Sequence, residues 1–473
     1  MKRPVTILDA IVDQKLFAGW FKDRVTWHAW FAFLAALFAL PMTSDQLEVY
    51  GRCTGHTAPP SEPAKEGWLI CGRRAGKSFI LALCAVFIAC FHDWRPYLSP
   101  GERATIMVIA SDRKQARAIF RYIAALLIEV PMLAKLIERQ TDDRFDLCDG
   151  VTIEVHTASY RSTRGYTIVA ALCDELAYWR TDDAAEPDYE ILTAIKPGMA
   201  TIPGAMLLCA SSPYARRGAL YDAYRKHFGK ENDPILVWQA STRTMNPTVP
   251  QSFIDEEIER DPASAAAEYG AEFRRDIESL ITSEAVRACV SPGIYERAPQ
   301  HGVAYHAFCD PSGGSSDSMT LAIGHKNFAT QRTVIDALRE VRPQFSPEET
   351  VGEFALLLKK YRVTKIVGDH YGAQWTLERF AKLGIRYEPS TKSKSELYLE
   401  LVALINSKRI DLPDNAKLIN QLCTLERRTA RTGRDSIDHR HGAHDDVANA
   451  VAGVAIASIN KYGNYDPTFE GWQ

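Results

Sequence analysis

No two of the ten cysteines stand at the C-x-x-C spacing of a zinc cluster or redox pair. The N-terminus also lacks the basic, apolar and small-residue order of a signal peptide, so free thiols in a reducing compartment are expected. Long apolar runs are missing too. Trp27 to Leu40 is apolar for only 14 residues, short of the roughly 20 that span a bilayer, and is expected to be a buried or partner-facing helix ended by Pro41. No membrane role is expected. Positive charge is not in excess, since a net −3 excludes a wholly basic nucleic-acid binder while permitting local basic surfaces. Two such segments exist: Arg216, Arg217, Arg225, Lys226 and Lys230, and then Arg427, Arg428, Arg431 and Arg434 with no acid between them. What remains is an ordinary globular composition, 46% hydrophobic and 24% charged, over 473 residues, enough for two or three cores.

The chain is organised around Gly72-Arg73-Arg74-Ala75-Gly76-Lys77-Ser78. Trp68 to Ile70 reads as a buried strand entering this turn and Ser78 to Phe91 as the helix leaving it. That is the context of a P-loop, in which backbone N–H groups and a helix N-terminus hold phosphate oxygens. Lys77 would then reach the outer phosphates and Ser78 would ligate Mg²⁺. The pattern departs from G-x-x-x-x-G-K-[ST] at its first position, where Cys71 stands. Upstream, Gln46, Tyr50 and Arg52 occupy the region where many such ATPases read adenine, although a surface helix is the favoured reading of them.

Apolar strands at Ala104 to Ala110, Val151 to His156, Ile168 to Cys173 and Ala205 to Ala210 alternate with helical stretches, the pattern of a doubly wound sheet. The Ile168 to Cys173 run ends in Asp174-Glu175, read as a Walker B pair on a strand beside the P-loop strand. Asp174 is expected to hold Mg²⁺ and Glu175 to act as the base toward the attacking water. Ser211-Ser212-Pro213 lies at another strand tip, suited to sensing the γ-phosphate. Arg161 and Arg164 are candidate phosphate or neighbouring-subunit contacts. Residues 1–66 read as a helical lead-in, 67–245 as the ATPase domain, and the Pro-flanked 246–300 as a hinge.

A second set of elements occupies 301–460, followed by a tail, 461–473. Three strands, a helix, a fourth strand and further helices place Asp310 at the end of the first strand and Asp369 at the end of the fourth. Asp445 and Asp446 fall at the start of the last helix. In an RNase H-like sheet these points converge, and carboxylates gathered there can hold two Mg²⁺ or Mn²⁺ ions for phosphodiester cleavage. Helix phase permits either Asp445 or Asp446 as the ligand. His444 is expected to be a neighbour of the ligands or a loop residue and not a ligand itself. A fragment from about residue 300 is expected to fold alone.

Taken together, the arginine-rich P-loop, Cys173-Asp174-Glu175, Ser211-Ser212-Pro213, Asp310-Pro311, Asp369 and Gly442-Ala443-His444-Asp445-Asp446 resemble the large terminase subunit of tailed bacteriophages, in that family's order from about Gln46 to Ile459. Deviant P-loops are common in that family, so Cys71 agrees with the resemblance. It implies an α/β fold with an N-terminal P-loop (RecA/ASCE-like) ATPase domain and a C-terminal RNase H-like nuclease domain. It further implies ATP-driven translocation of double-stranded DNA into a procapsid, and Mg²⁺- or Mn²⁺-dependent cutting of concatemers. The implied partners are a portal protein, a small terminase subunit and further copies of the chain in a ring, and the implied location is the bacterial host cytoplasm. Two other classes share only half of these features: a P-loop helicase or repair translocase does not need the three acidic positions, and a transposase or resolvase does not need Lys77 and Glu175.

Overall fold

The computed structural model describes residues 4–158, 165–180, 186–312, 317–369, 373–429, 435–439 and 443–459. The chain forms two compact units, one reaching Arg275 and the other beginning at Asp276. Among the described residues no helix is long and apolar enough to cross a membrane.

The first unit is built on eight strands: β1 Glu66–Cys71, β2 Ala104–Ala110, β3 Ile137–Gln140, β4 Arg144–Leu147, β5 Val151–Thr157, β6 Thr167–Asp174, β7 Met206–Ser211 and β8 Ile235–Ala240. Their order is β3-β4-β5-β2-β6-β7-β1-β8. β5, β2, β6, β7, β1 and β8 pair in parallel, and the β3–β4 hairpin adds an antiparallel edge. β2 and β7 are buried throughout, as expected of strands covered on both faces. The strand carrying Asp174 is not beside the P-loop strand: β7 lies between β6 and β1. That insertion puts Ser211, at the end of β7, between the two sequence motifs.

The N-terminal residues belong to this unit's core and are more than a lead-in. His28–Leu37 is the expected buried helix, and Phe17, Phe21, Trp30 and Phe33 pack with Leu81 and Phe87 of the P-loop helix Lys77–Phe91 and with Trp238. The segment expected as a hinge divides. Residues 246–275, including helices Gln251–Arg260 and Pro262–Glu268, belong to the first unit, and residues from Asp276 to the second.

The second unit contains β9 Ile277–Ser279, β10 Val290–Ser291, β11 Tyr305–Asp310, β12 Met319–Asn327, β13 Arg332–Val341, β14 Lys365–Gly368, β15 Arg386–Pro389, β16 Ile410–Pro413, β17 Leu425–Thr429 and β18 Asp435–His439. Its main sheet runs β10-β16-β13-β12-β11-β14-β15. β11, β12 and β13 are antiparallel neighbours, and β14 and β15 continue from β11 in parallel, which is the RNase H-like arrangement. β18, β17 and β9 form a separate antiparallel sheet. Side chains alternate along β11. Ala307 and Cys309 meet Phe354 and Leu358 of helix Pro347–Lys360, while Phe308 faces Val451 and Val454 of the last helix, Asp446–Ala457. Asp310 therefore falls on the face that carries the last helix. Gly453 permits this crossing, because a Cβ there would lie 2.1 Å from the Phe308 ring.

Candidate catalytic centres

In the first unit, the chain leaves β1 at Cys71, turns through 72–76 and enters its helix at Lys77. The turn is held from several sides. Trp30 Nε1 donates to the Ala75 carbonyl at 2.9 Å, Thr242 Oγ1 to Arg73 O at 2.8 Å, and Asn246 Nδ2 to Arg74 O at 2.8 Å. Arg73 also pairs with Glu268 at 2.8 Å. Gly72 is required by this collar, since a Cβ would sit 2.1 Å from Thr242 Oγ1.

Lys77 is 5% exposed, and its ammonium donates to Cys71 O at 3.0 Å, Gly72 O at 3.1 Å and Ser212 Oγ at 3.0 Å, with Glu175 Oε1 3.5 Å away. Ser78 Oγ donates to Asp174 Oδ2 at 3.0 Å. Asp174 is fully buried, and its Oδ1 has no hydrogen-bond partner among the described residues. Burial, reinforced by the charge of Glu175, pushes the Asp174 carboxyl up to about 6. A buried carboxylate with a spare oxygen beside a serine hydroxyl fits a hydrated Mg²⁺ ion. Glu175 sits in the left-handed region (φ 50°, ψ 43°), a conformation costing a non-glycine residue about 1–2 kcal/mol. It is held there by Ser211 Oγ at 3.2 Å and the Ser212 N–H at 3.3 Å.

Gln115 was missed in the sequence, yet its Nε2 donates to Asp174 Oδ2 at 2.7 Å and to Ser78 Oγ at 3.0 Å. The signal was its place in the first turn of the helix after β2, because helices that follow parallel strands begin at the sheet edge where ligands bind. Two of the three adenine candidates are engaged elsewhere. Tyr50 is buried against His56 at 2.7 Å, and Gln46 is used in the capping box of helix Ser44–Thr54.

In the second unit, β11 and β14 are parallel neighbours with Cys309 opposite Gly368, so Asp310 and Asp369 emerge side by side. The Asp369 backbone is fixed by its N–H to Cys309 O at 3.2 Å and by Tyr387 OH, which donates to its carbonyl at 2.8 Å. Burial pushes Asp310 up to about 7, with Asp446 and Asp369 adding like charge and a hydrogen bond from Asn449 opposing the shift. Asp446 Oδ2 is buried with no partner among the described residues, and burial followed by the Asp445 charge raises its carboxyl.

Asp445 has other partners. Lys394 Nζ donates to it at 2.7 Å, Tyr398 OH at 2.7 Å, and His439 Nδ1 stands 3.2 Å away. Burial works to raise this carboxyl, but His439 and Lys394 outweigh it and hold it below the usual range. Asp310, Asp369 and Asp446 thus lie within electrostatic reach of one another, and Asp446 keeps an unpaired oxygen of the kind a divalent cation takes. Among the described residues the acidic group whose ligand atoms all lie within 4.8 Å is a different one, Asp438, His439 and Asp445, which with Lys394 ties β18 to the last helix. His444 is exposed and lies 3.6 Å from Asp317.

The basic segments carry less free charge than their composition implies. Arg225 and Lys226 approach Asp222 at 3.5 and 3.8 Å, and Arg428 bonds the buried Glu426 at 3.2 Å; Arg216, Lys230 and Arg427 are exposed, as are Arg225 and Lys226. Arg161, Arg164, Arg431, Arg434 and Gly442 lie outside the described residues.

No protein-family model and no curated protein matches the chain. Among solved structures it is similar to bacteriophage large terminases. The HK97 bacteriophage large terminase is 14% identical, with a TM-score of 0.38, over 84% of this chain and 91% of that one. The ATPase domain of the Thermus phage P74-26 large terminase is 18% identical, with a TM-score of 0.37, over 51% of this chain and 97% of its own. The magnesium-bound large terminase nuclease of thermophilic phage G20c is 16% identical, with a TM-score of 0.33, over 38% of this chain and 98% of its own.

Proposed function

We propose that this chain is the large terminase subunit of a tailed phage or prophage, an ATPase that drives double-stranded DNA into a procapsid and a divalent-metal endonuclease that cuts it. The observation that supports this reading is the presence, in one chain, of two residue sets of the right chemistry: Lys77, Ser78, Asp174 and Glu175 around a P-loop, and Asp310, Asp369 and Asp446 at the strand ends and last helix of an RNase H-like sheet.

In the first centre, the loop N–H groups and the helix start receive the phosphates of ATP. Lys77, parked on Ser212, transfers its ammonium to the outer phosphates, which releases Ser212 and weakens its hold on Glu175. Glu175 then accepts the proton of the attacking water. Ser78 and Asp174 would hold Mg²⁺ there, and Asp310, Asp369 and Asp446 would hold Mg²⁺ or Mn²⁺ in the second centre. Divalent ions supply charge neutralisation on phosphate oxygens and activation of water when bound. The exposed Arg216, Lys230 and Arg427 support electrostatic contact with the DNA backbone. A portal, a small subunit and a ring of copies in the host cytoplasm complete the reading.

ATP hydrolysis and metal-dependent plasmid cleavage, measured on one preparation, test it. Lys77→Ala should lose hydrolysis and retain cutting, and Asp310→Ala should do the reverse. Hydrolysis without any metal-dependent cutting would leave a translocase and exclude a terminase. Packaging into procapsids by the wild type, absent in Lys77→Ala, tests the motor role.

A further inference from the structure

Asn449 lies three residues beyond Asp446 in the last helix, so both side chains project from one face. It is 1% exposed. Its Nδ2 donates to Asp310 Oδ2 at 2.7 Å and reaches Asp369 Oδ2 at 3.4 Å. Its carbonyl oxygen, Oδ1, is buried and has no donor among the described residues. Leaving such an acceptor unpaired is unfavourable, and native interiors satisfy nearly all of theirs. Asp446 Oδ2, one turn earlier, is unpartnered in the same way.

We propose that Asn449 is itself a ligand of the divalent cation in this centre, its carbonyl oxygen joining the carboxylates of Asp310, Asp369 and Asp446. The inference rests on the metal-centre reading given above and adds a neutral member to it. Without a cation the carboxylates attract the NH₂ end of the amide, and with a cation among them the preference reverses. A half-turn about Cβ–Cγ exchanges the two ends with little change in shape. Mg²⁺ and Mn²⁺ accept amide oxygens alongside carboxylates. A neutral ligand also completes the set without a fourth buried negative charge, whose desolvation would add to the repulsion already present.

The test is Mn²⁺ binding by the full-length protein without nucleotide, followed by electron paramagnetic resonance of free Mn²⁺, with Asp369→Asn identifying the signal from this centre. Asn449→Leu keeps the number and branching of the side-chain heavy atoms and removes the oxygen. It should raise the Mn²⁺ Kd at least about tenfold, the lower end of what losing a supporting group near a metal costs. Asn449→Cys should acquire a cadmium–thiolate charge-transfer band with Cd²⁺ that the wild type lacks, because a soft thiolate in the coordination sphere recruits a soft ion. A wild-type Kd in Asn449→Leu overturns the proposal. If that variant does not fold, a Cys variant with no new band overturns it. Wild-type protein with no Mn²⁺ binding sensitive to Asp369→Asn would instead defeat the metal-centre reading on which the inference rests.

Discussion

Adjacent aspartates at the head of the last helix have opposite surroundings. Asp445 is neutralised by Lys394 and His439 and bonded by Tyr398, whereas Asp446 adds its charge to Asp310 and keeps an unpaired buried oxygen. Asp446→Ala is therefore expected to reduce metal-dependent cutting by about 100-fold or more, the scale on which metal sites lose activity when their set is broken. Asp445→Asn should cost stability and leave most of the Mn²⁺ affinity, a split that calorimetric titration beside thermal melts would reveal. At the other centre, Glu175→Gln should keep nucleotide binding and lose turnover, and equal hydrolysis rates in the two proteins would remove Glu175 from its role. The sequence exposed the acidic residues because each ends a strand or starts a helix. It could not separate Asp445 from Asp446, since their partners come from positions as distant as Lys394 and Tyr398. Gln115 and Asn449 were hard to read for a related reason: amides carry no charge signature, their meaning depends on what faces them, and only Gln115 had a positional signal.

Strands and helices with clear periodicity were legible, among them β2, β6, β7, β11 to β14 and the P-loop helix. The β17–β18 hairpin was not, because Leu-Glu-Arg-Arg-Thr looks like a charged loop until the buried Leu425 and Glu426 are seen. That hairpin is joined to the last helix through His439, whose imidazole is raised to about 9, first by its bond to Asp438 and then by Asp445. A histidine raised in the folded state stabilises fully below its ordinary value of 6.5 and loses that contribution as pH climbs through about 9. Urea midpoints of the wild type should consequently fall between pH 6 and 9.5 relative to those of His439→Gln. Parallel curves for the two proteins would show that the ion pair contributes nothing. The crossing of the last helix over β11 gives a second test at this scale. Gly453→Ala forces a methyl into the Phe308 ring, and overpacking of this kind costs about 1–3 kcal/mol. Phe308→Leu, destabilising alone, should recover part of that loss in the double variant, which a mutant cycle measures.

The two-unit organisation was visible in the change of pattern after residue 245, but its boundary was misplaced, because prolines at 247, 250, 292 and 299 look like linker punctuation wherever they fall. Residues 276–300 are integral to the second unit. Ile281, Val286 and Cys289 are buried in its core, and β9 and β10 extend its sheets. Arg297 donates to the Ile335 carbonyl at 2.9 Å and pairs with Asp411 at 2.9 Å, and its backbone N–H bonds Asp336 O at 2.8 Å. Burying Ile281 and Val286 alone contributes about 3–6 kcal/mol, a large part of the roughly 5–15 kcal/mol that stabilises a domain. A fragment beginning at residue 301 should therefore be poorly folded, with a broad or absent thermal transition. One beginning at Asp276 should melt cooperatively and, with Mn²⁺ and no ATP, nick plasmid DNA. Circular dichroism melts of both fragments decide the point: equal cooperativity would mean that 276–300 only decorates the second unit. If the longer fragment melts cooperatively and binds Mn²⁺ yet leaves plasmid intact, the exposed charges of the first unit are needed to hold the substrate, and adding that unit back in trans at low salt should not restore cutting unless the two are covalently joined.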